Sequence, residues 1–326
     1  NTIMQTCFFA ISGILEKAEA IAKIKDAVKK TYGRKGQRLL ERNFAAIDAT
    51  LDGLQRVQVP GQTTSSLERP PVVPDDAPEF VKRVTATLIE GKGDSLPVSL
   101  MPADGTWPTA TTRFEKRNIA LELPRWEADI CTHCGKCPLV CPHAAIRSKV
   151  YPAELTDEAP ETFQHVQIKG KDFPKGWHIT YQVAPDDCTG CGLCVEVCPI
   201  RDRKNPKRKA LNMTPEPKYH AQERANWDYF LGLPEYDRTQ LDGSKIKHAM
   251  ILQPLFEFSG ACVGCGETPY VKLATQLFGD RMLIGNATGC SSIYGGNLPT
   301  TPYTTDPSGR GPTWNNSLFE DTAEFG

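Results

Sequence analysis

The sequence predicts a multidomain chain that is α+β in its middle part and α/β toward its end. Three observations support this fold class: helical periodicity in residues 13–57, crowded cysteines between residues 124 and 213, and an alternation of strand, helix and strand beginning near Ala249. With 326 residues, the chain has room for about two or three domains. We divide it into residues 1–58, 59–123, 124–213 and 214–326.

The charge balance is even, with 38 basic and 39 acidic residues and a net charge of −1. Such a surface exerts no general attraction on nucleic acid or on a membrane. No apolar run approaches the roughly 18 residues of a spanning helix. We therefore expect neither nucleic acid nor a membrane among the partners.

Residues 1–58 are predicted to begin with a buried strand and turn and to continue as two helices. The opening NTIMQTCFFAISGIL lacks an initiator Met, a basic start and a clear cleavage site, so a buried strand is preferred to a signal sequence. Apolar residues then recur every three or four positions on both sides of a break at residues 32–36. This pattern predicts a helical pair.

Residues 59–123 are predicted to be a linker followed by a small connecting domain. The stretch VPGQTTSSLERPPVVPDDAP is rich in Pro, Ser and Thr, which is typical of a linker. Further along, TTRFEKRNIALELP is predicted to form a strand or a connecting arm.

Twelve cysteines dominate the chemistry, and eleven of them lie in three tight groups. A chain of this length can bury a core without disulfides, and thiols at two- and three-residue spacing favour metal. This indicates a reducing, cytoplasmic setting. Two groups repeat the pattern C-x2-C-x2-C-x3-C-P, the run of bacterial two-cluster ferredoxins.

In such runs the fourth cysteine binds the other cluster, so we predict a two-cluster ferredoxin-like α+β domain with exchanged ligands. One [4Fe–4S] cluster is assigned to Cys131, Cys134, Cys137 and Cys198, and the other to Cys188, Cys191, Cys194 and Cys141. Zinc is the alternative, but its ligands usually come as two pairs separated by a longer loop.

The residues around the runs carry further predictions. His133 and His143 are expected to tune the clusters or to lie at the surface, because each cubane already has four thiolates. HVQIK and WHITYQV, between the runs, are predicted to form an inserted hairpin. The basic stretch RDRKNPKRK (201–209) could steer an acidic electron carrier toward the nearby cluster, or it could be a solvated loop.

The third group comprises Cys262, Cys265 and Cys290. Three thiolates leave a cubane incomplete, so the fourth ligand is expected beyond Gly326 or from another chain; a three-cysteine zinc site is the alternative. Cys7 is a poor candidate because it lies in an apolar stretch. ILQPLFEF and RMLIGNA are predicted strands and ETPYVKLATQLFG a helix, and the chain is expected to be truncated before this α/β domain closes.

The segment FSGACVGCGETPYVKLATQLFGDRMLIGNATGCSSIYGGNLPTTPY resembles the thiamine-diphosphate domain of pyruvate:ferredoxin (flavodoxin) oxidoreductases. The resemblance continues through the paired cysteine runs and PVSLMPADGTWPTATTRFEKRNIA to NTIMQTCFFAISG, so it covers essentially the whole chain. It implies an internal fragment of the single-polypeptide form. Residues 1–58 would end the gamma-type domain that contacts coenzyme A, and residues 214–326 would be a connecting segment and the start of the thiamine-diphosphate-binding domain.

This resemblance implies an activity: coenzyme A-dependent oxidative decarboxylation of pyruvate to acetyl-CoA and CO2, with ferredoxin or flavodoxin as electron acceptor. The full-length enzyme would be a homodimer that holds thiamine diphosphate with Mg²⁺. The fragment alone is expected to be inactive, because the Mg²⁺-binding motif and the pyruvate-binding domain lie outside it.

The resemblance also implies roles for individual residues. Cys262, Cys265 and Cys290 look like three ligands of a third [4Fe–4S] cluster. Glu267 and Cys290 match residues beside thiamine diphosphate, and Asn1 and Asn43 match residues that contact coenzyme A.

Two other functions stay open at this point. A polyferredoxin-type electron-transfer subunit fits the eight-cysteine core equally well, although such a carrier has no use for the third group or for Glu267. A related 2-oxoacid:ferredoxin oxidoreductase would differ mainly in a substrate pocket outside this chain. In a eukaryote, a hydrogenosome or similar organelle would replace the cytoplasm.

Overall fold

The computed structural model describes residues 1–66, 70–287 and 289–316, with all of their side chains except those of residues 216 and 217. The chain divides into two compact units, residues 1–69 and residues 70–326. The division into four segments stays a prediction. Within the described ranges, no helix combines the length and the apolarity needed to cross a membrane.

The first unit is helical. Its helices are α1 (Thr2–Ser12), α2 (Lys17–Tyr32) and α3 (Gln37–Asp52). The predicted pair is confirmed by α2 and α3, which a short 3-10 turn, Gly33–Lys35, separates. Glu16 precedes α2, and its carboxylate accepts the amide N–H of Glu19 at 3.0 Å as an N-cap. The hydrophobic core of the pair is formed by Ile24, Val28, Leu40 and Ile47.

The predicted buried strand at the start of the chain is wrong, because these residues form α1. An apolar run by itself does not distinguish a strand from a helix. The expected burial is also absent within this unit, since Met4 and Ile11 are each 72% exposed. Gly13 ends the helix with a φ of 64°, in the left-handed region that glycine adopts at low cost.

The second unit contains short helices and strands. Its strands are β1 (Glu122–Trp126), β2 (Ile146–Pro152), β3 (Val166–Gln167), β4 (Trp177–Val183), β5 (Leu211–Pro215), β6 (Leu283–Asn286) and β7 (Thr313–Asn316). Its helices are α4 (Ala86–Ile89), α5 (Lys136–Val140), α6 (Leu193–Val197), α7 (Glu216–Gly232), α8 (Ile246–Ala249), α9 (Thr268–Phe278) and α10 (Cys290–Ser292). A π-helical turn, Val81–Thr85, leads into α4.

Two similar halves form the centre of this unit. The first runs from β1 through the first cysteine run to α5 and β2, and the second runs from β4 through the second cysteine run to α6 and β5. β1 pairs antiparallel with β5, and β2 pairs antiparallel with β4. Each sheet therefore takes one strand from each half, which holds the two cysteine runs together.

The predicted inserted hairpin is confirmed. β3 pairs antiparallel with β4, with Val166 opposite Ile179. Because β4 also pairs with β2, the sheet has the order β2-β4-β3. The stretch TTRFEKRNIALELP is partly a strand: it contributes a 3-10 turn, Thr111–Phe114, an irregular arm at residues 115–121, and the first residues of β1.

The end of the chain has the predicted helix and one of the two predicted strands. RMLIGNA contains β6, which pairs parallel with β7, and ETPYVKLATQLFG contains α9. The strand predicted for ILQPLFEF is wrong, since residues 250–258 are irregular apart from a bridge between Phe256 and Tyr303. Pro254 has no N–H to donate, and Phe258 has a φ of 53°, so a regular ladder cannot continue there.

Candidate iron–sulfur centres

Cysteines from both runs line a first cavity in the centre of the second unit. They are Cys131, Cys134, Cys137 and Cys198. Trp126 and Tyr181 contribute aromatic walls. Three of the thiols precede or begin α5, whereas Cys198 arrives at the end of α6.

A second cavity has the complementary set of thiols. Cys188, Cys191, Cys194 and Cys141 line it. Pro124, Val183 and Met213 are among its apolar neighbours. The structure thus brings together each set of four cysteines that the sequence grouped, with the fourth member supplied by the other run.

Glycines shape both cysteine loops. Gly135 and Gly192 precede α5 and α6 with φ values of 76° and 75°, a conformation that L side chains rarely adopt. At Gly135, an added Cβ would also lie 3.2 Å from the carbonyl oxygen of Ile246. The loops therefore turn tightly enough to direct their thiols into one cavity each.

Each run also aims a backbone amide at its first sulfur. The N–H of His133 donates to Sγ of Cys131, and the N–H of Gly190 donates to Sγ of Cys188, both at 3.4 Å. Both donors have positive φ values, 59° and 66°. Amide hydrogen bonds to sulfur favour the thiolate form and help to set the potential of a bound cluster.

Burial disfavours free thiolates in these cavities. Burial raises the pKa of Cys137 well above its usual range and the pKa of Cys188 to about 12. The thiols of Cys137 and Cys188 are therefore protonated at neutral pH until metal displaces their protons. Among the described residues, no three His, Cys, Asp or Glu side chains converge closely enough to hold one metal ion. Thiols that surround a cavity suit a polynuclear cluster better than one zinc ion with ligands at about 2.3 Å.

The two histidines of the first run are buried, so the expectation of surface positions is wrong. His133 is 0% exposed, and its Nδ1 accepts the N–H of Lys169 at 3.2 Å. His143 is 3% exposed, lines the second cavity, and lies with Nδ1 3.0 Å from the carbonyl oxygen of Ser259. Since that oxygen only accepts, Nδ1 of His143 carries the proton. The tuning role stays a prediction.

The third cysteine group is only partly assembled by the described residues. Cys262 and Cys265 share one turn, in which the N–H of Cys265 donates to the carbonyl of Cys262 at 3.0 Å. Cys290 is exposed and begins α10. These three thiols do not form a group close enough to hold a metal ion within the described part of the chain.

Glu267 lies immediately before α9 and has a partner that the sequence reading missed. The hydroxyl of Tyr294 donates to Oε1 of Glu267 at 2.6 Å. Tyr294 is 3% exposed, and burial, followed by the hydrogen bond to Glu267, raises its pKa far above the usual value. The phenol therefore stays protonated and orients the carboxylate.

A buried carboxylate and a buried ammonium group beside the cysteine runs were also missed. Lys116 donates to Oδ2 of Asp187 at 2.7 Å, and the carboxylate side chain is 2% exposed. Asp187 directly precedes Cys188. Lys272 on α9 is 2% exposed, and burial lowers its pKa to about 8. The sequence signal of Asp187 and Lys272 was weak, since isolated charged residues are normally exposed.

The basic stretch 201–209 is only partly free to meet a partner. Arg208 donates to Glu127, Asp129 and Asp202 at 2.7, 2.8 and 3.0 Å, so its charge is neutralised locally. The exposed cations of the stretch are Arg201, Arg203, Lys204 and Lys207.

The residues predicted to contact coenzyme A both lie in the first unit. Asn1 precedes α1, and its side chain makes no capping hydrogen bond. Asn43 lies on α3, where its Nδ2 donates to the carbonyl of Leu39 at 2.8 Å. This bond occupies part of its amide within the helix.

Comparison with known families agrees with this geometry. A family model described as a 4Fe-4S dicluster domain matches residues 130–201, which contain both cysteine runs. A second, described as a domain of unknown function (EKR), matches residues 66–120. The fold, the two thiol-lined cavities and the first match define an iron–sulfur protein.

Several longer proteins are similar to the whole chain. The whole chain aligns with a putative pyruvate-flavodoxin oxidoreductase of Synechocystis sp. at 57% identity and with a pyruvate:ferredoxin oxidoreductase of Moorella thermoacetica at 48%. It spans 27% of the length of each. A mitochondrial pyruvate dehydrogenase [NADP(+)] of Euglena gracilis is 45% identical, and the chain spans 18% of it. The chain is therefore similar over its whole length to pyruvate-flavodoxin and pyruvate:ferredoxin oxidoreductases, and it corresponds to about a quarter of the first two proteins.

Proposed function

We propose that this chain is the electron-relay part of an enzyme that oxidatively decarboxylates pyruvate with coenzyme A, giving acetyl-CoA and CO2, and reduces ferredoxin or flavodoxin. The observation that carries the proposal is the exchange of the fourth cysteine between two thiol-lined cavities. An exchange of this kind keeps two clusters close to each other, which suits electron transfer between them. We place the enzyme in the cytoplasm as a homodimer.

The eight cysteines would hold two [4Fe–4S] clusters as grouped above. Cys262, Cys265 and Cys290 would hold a third, with a fourth ligand that this chain does not supply. When bound, thiamine diphosphate with Mg²⁺ supplies the electron sink for decarboxylation, and the clusters accept electrons singly. The residues of this chain bind, orient and shield these groups.

Contacts near the second cavity support an order of electron transfer. The ring of His143, which lines that cavity, donates to Ser259, three residues before Cys262. Gly264 belongs to the turn that carries Cys262 and Cys265. A Cβ atom added at Gly264 would lie 4.0 Å from Cδ1 of Leu193. The turn that carries Cys262 and Cys265 is therefore next to the second cavity, and the exposed cations that follow Cys198 are next to the first. We propose that electrons pass in that order to the carrier.

Glu267 is the proposed contact to thiamine diphosphate, together with Cys290. Tyr294 holds the carboxylate of Glu267 with a hydrogen bond of 2.6 Å, which fixes its direction. The parallel pairing of β6 with β7 is typical of an α/β domain and supports a cofactor-binding domain that begins here. For Asn1 and Asn43, the proposed contact to coenzyme A rests on the resemblance alone.

The ligand exchange is tested by comparing cysteine variants in anaerobically purified protein. We expect Cys198→Ala to lose about four iron atoms per chain and the same electron paramagnetic resonance signal that Cys134→Ala loses. Cys191→Ala should lose the other signal, and Cys7→Ala should retain all iron and sulfide. A Cys198→Ala spectrum that matches Cys191→Ala would refute the exchange.

The catalytic proposal is tested with the full-length enzyme that contains this chain, since the chain spans only 27% of the relatives it matches. We expect pyruvate and coenzyme A together to support reduction of ferredoxin or flavodoxin, with release of CO2. The proposed substrate would be contradicted by protein that holds its full iron content and passes electrons from dithionite to these carriers but passes no electrons from pyruvate. Omitting coenzyme A is the matched control.

A further inference from the structure

Lys272 is a buried charge whose position the proposed ligand sets do not explain. It lies on α9 and is 2% exposed. Its Nζ donates to the carbonyl oxygens of Pro138, Leu139 and Cys141, the last two at 3.1 and 3.0 Å. These carbonyls belong to the end of α5 and the residue that follows it.

The segment that Lys272 contacts joins the two cavities. Cys137 lies in α5 and lines the first cavity, whereas Cys141 follows α5 and lines the second. The carbonyls at the end of a helix have no partner within the helix and carry partial negative charge. Lys272 satisfies three of these groups from outside, so it fixes the short connection between ligands of two different clusters.

The hydrogen bonds fit a charged ammonium. An ammonium group has three donors and no acceptor, and three carbonyls surround this one. Among the described residues, no carboxylate pairs with Lys272. By contrast, Arg147 pairs with Glu257 at 2.5 Å, and Lys116 pairs with Asp187 at 2.7 Å. The charge of Lys272 is therefore not cancelled by a nearby side chain.

We propose that Lys272 is a positioning residue that raises the reduction potentials of both clusters, most strongly the cluster that contains Cys141. The proposal rests on the proposed function, because it requires that the eight cysteines hold [4Fe–4S] clusters. A cluster that accepts one electron gains one negative charge, and a nearby cation in a buried site stabilises that reduced form. Lys272 thereby favours electron entry at the second cavity, next to the third cysteine group.

The test is a redox titration of the holoprotein with dithionite as reductant, followed by electron paramagnetic resonance. Lys272→Gln removes the charge and keeps a hydrogen-bond donor, and Lys272→Arg keeps the charge. Lys175→Gln removes a charge from an exposed lysine between β3 and β4 and is the matched control. We expect Lys272→Gln to weaken reduction of the Cys141-containing cluster roughly tenfold, which is about 59 mV for a one-electron couple.

The outcomes separate this proposal from the proposed function. Iron and sulfide counts of the unaltered protein test the clusters themselves, before any variant is compared. If Lys272→Gln keeps both clusters and shifts the potentials no more than Lys175→Gln does, the proposal is wrong. If Lys272→Gln loses a cluster, Lys272→Arg decides the result. Retention of both clusters by Lys272→Arg supports a need for the positive charge. Loss of a cluster in both variants refutes the proposal, because the shape of the lysine side chain would then be what the site requires.

Discussion

Glu257 is the carboxylate at the centre of a buried charge network, and its loss should destabilise the second unit. It is 4% exposed and accepts hydrogen bonds from Arg147 at 2.5 Å and from Arg113 at 3.1 Å. The guanidinium of Arg147 also lies 5.3 and 5.0 Å from the ring centroids of Trp227 and Phe258. The carboxylate therefore neutralises a cation that is enclosed by apolar rings.

The size of the effect follows from the exposure of each partner. The side chain of Arg147 is 9% exposed, so Glu257→Gln leaves a buried cation without an anion, which costs about 3–5 kcal/mol. The side chain of Arg113 is 45% exposed, so the loss of its pair adds only about 0–1 kcal/mol. The first term dominates. We expect a total destabilisation of about 3–5 kcal/mol.

Native-state hydrogen exchange measures this free energy without complete unfolding. A loss of about 3 kcal/mol makes hydrogen exchange more than about 100-fold faster for amides that exchange only when the unit opens. We expect this change in β2, which carries Arg147. The control is Glu79→Gln, which removes an exposed pair with Arg83 at 3.8 Å. If Glu257→Gln accelerates exchange no more than this control does, the attribution to a buried unpaired charge is wrong.

Two further predictions concern pH and the carrier. Burial lowers the pKa values of His165 and His178, whose Nδ1 atoms lie 2.8 Å apart. Below about pH 6.5 the unfolded chain then binds more protons than the folded chain, so the contribution of these histidines to the stability of the β3–β4 hairpin should be complete above that pH and be lost below it. His178→Gln should flatten this pH dependence, as measured by hydrogen exchange. An unchanged slope would contradict the assignment to these histidines. Reversing two exposed charges with Arg203→Glu and Lys204→Glu should slow carrier reduction roughly tenfold at low salt and little at high salt. Equal rates at low salt would assign the stretch to a solvated loop.

The spacing of the cysteines by itself predicted the iron–sulfur chemistry of this protein. In each run, two residues separate successive members of the first three cysteines, three residues separate the third from the fourth, and a proline follows. This spacing restricts the backbone to tight loops and short helices. The structure accordingly groups Cys198 with the first run and Cys141 with the second. Helical periodicity was equally informative for α2 and α3, because one face of each must be buried.

Other features depended on contacts between distant parts of the chain. The apolar opening forms a helix rather than a strand, since an apolar run does not distinguish the two. ILQPLFEF is buried as predicted, with Ile251 and Phe256 at 2% and 1% exposure, but Pro254 and the backbone of Phe258 prevent a regular strand.

Tertiary structure alone decided where the buried charges lie. Lys272 and Gln276 are 2% and 4% exposed on one face of α9, where a sequence reading expects apolar side chains. They are buried there because carbonyls at the ends of two short helices, α5 and α8, need donors from another element. Residue spacing along the chain specifies local geometry, whereas the partner of a buried polar group is known only once the fold brings remote segments together.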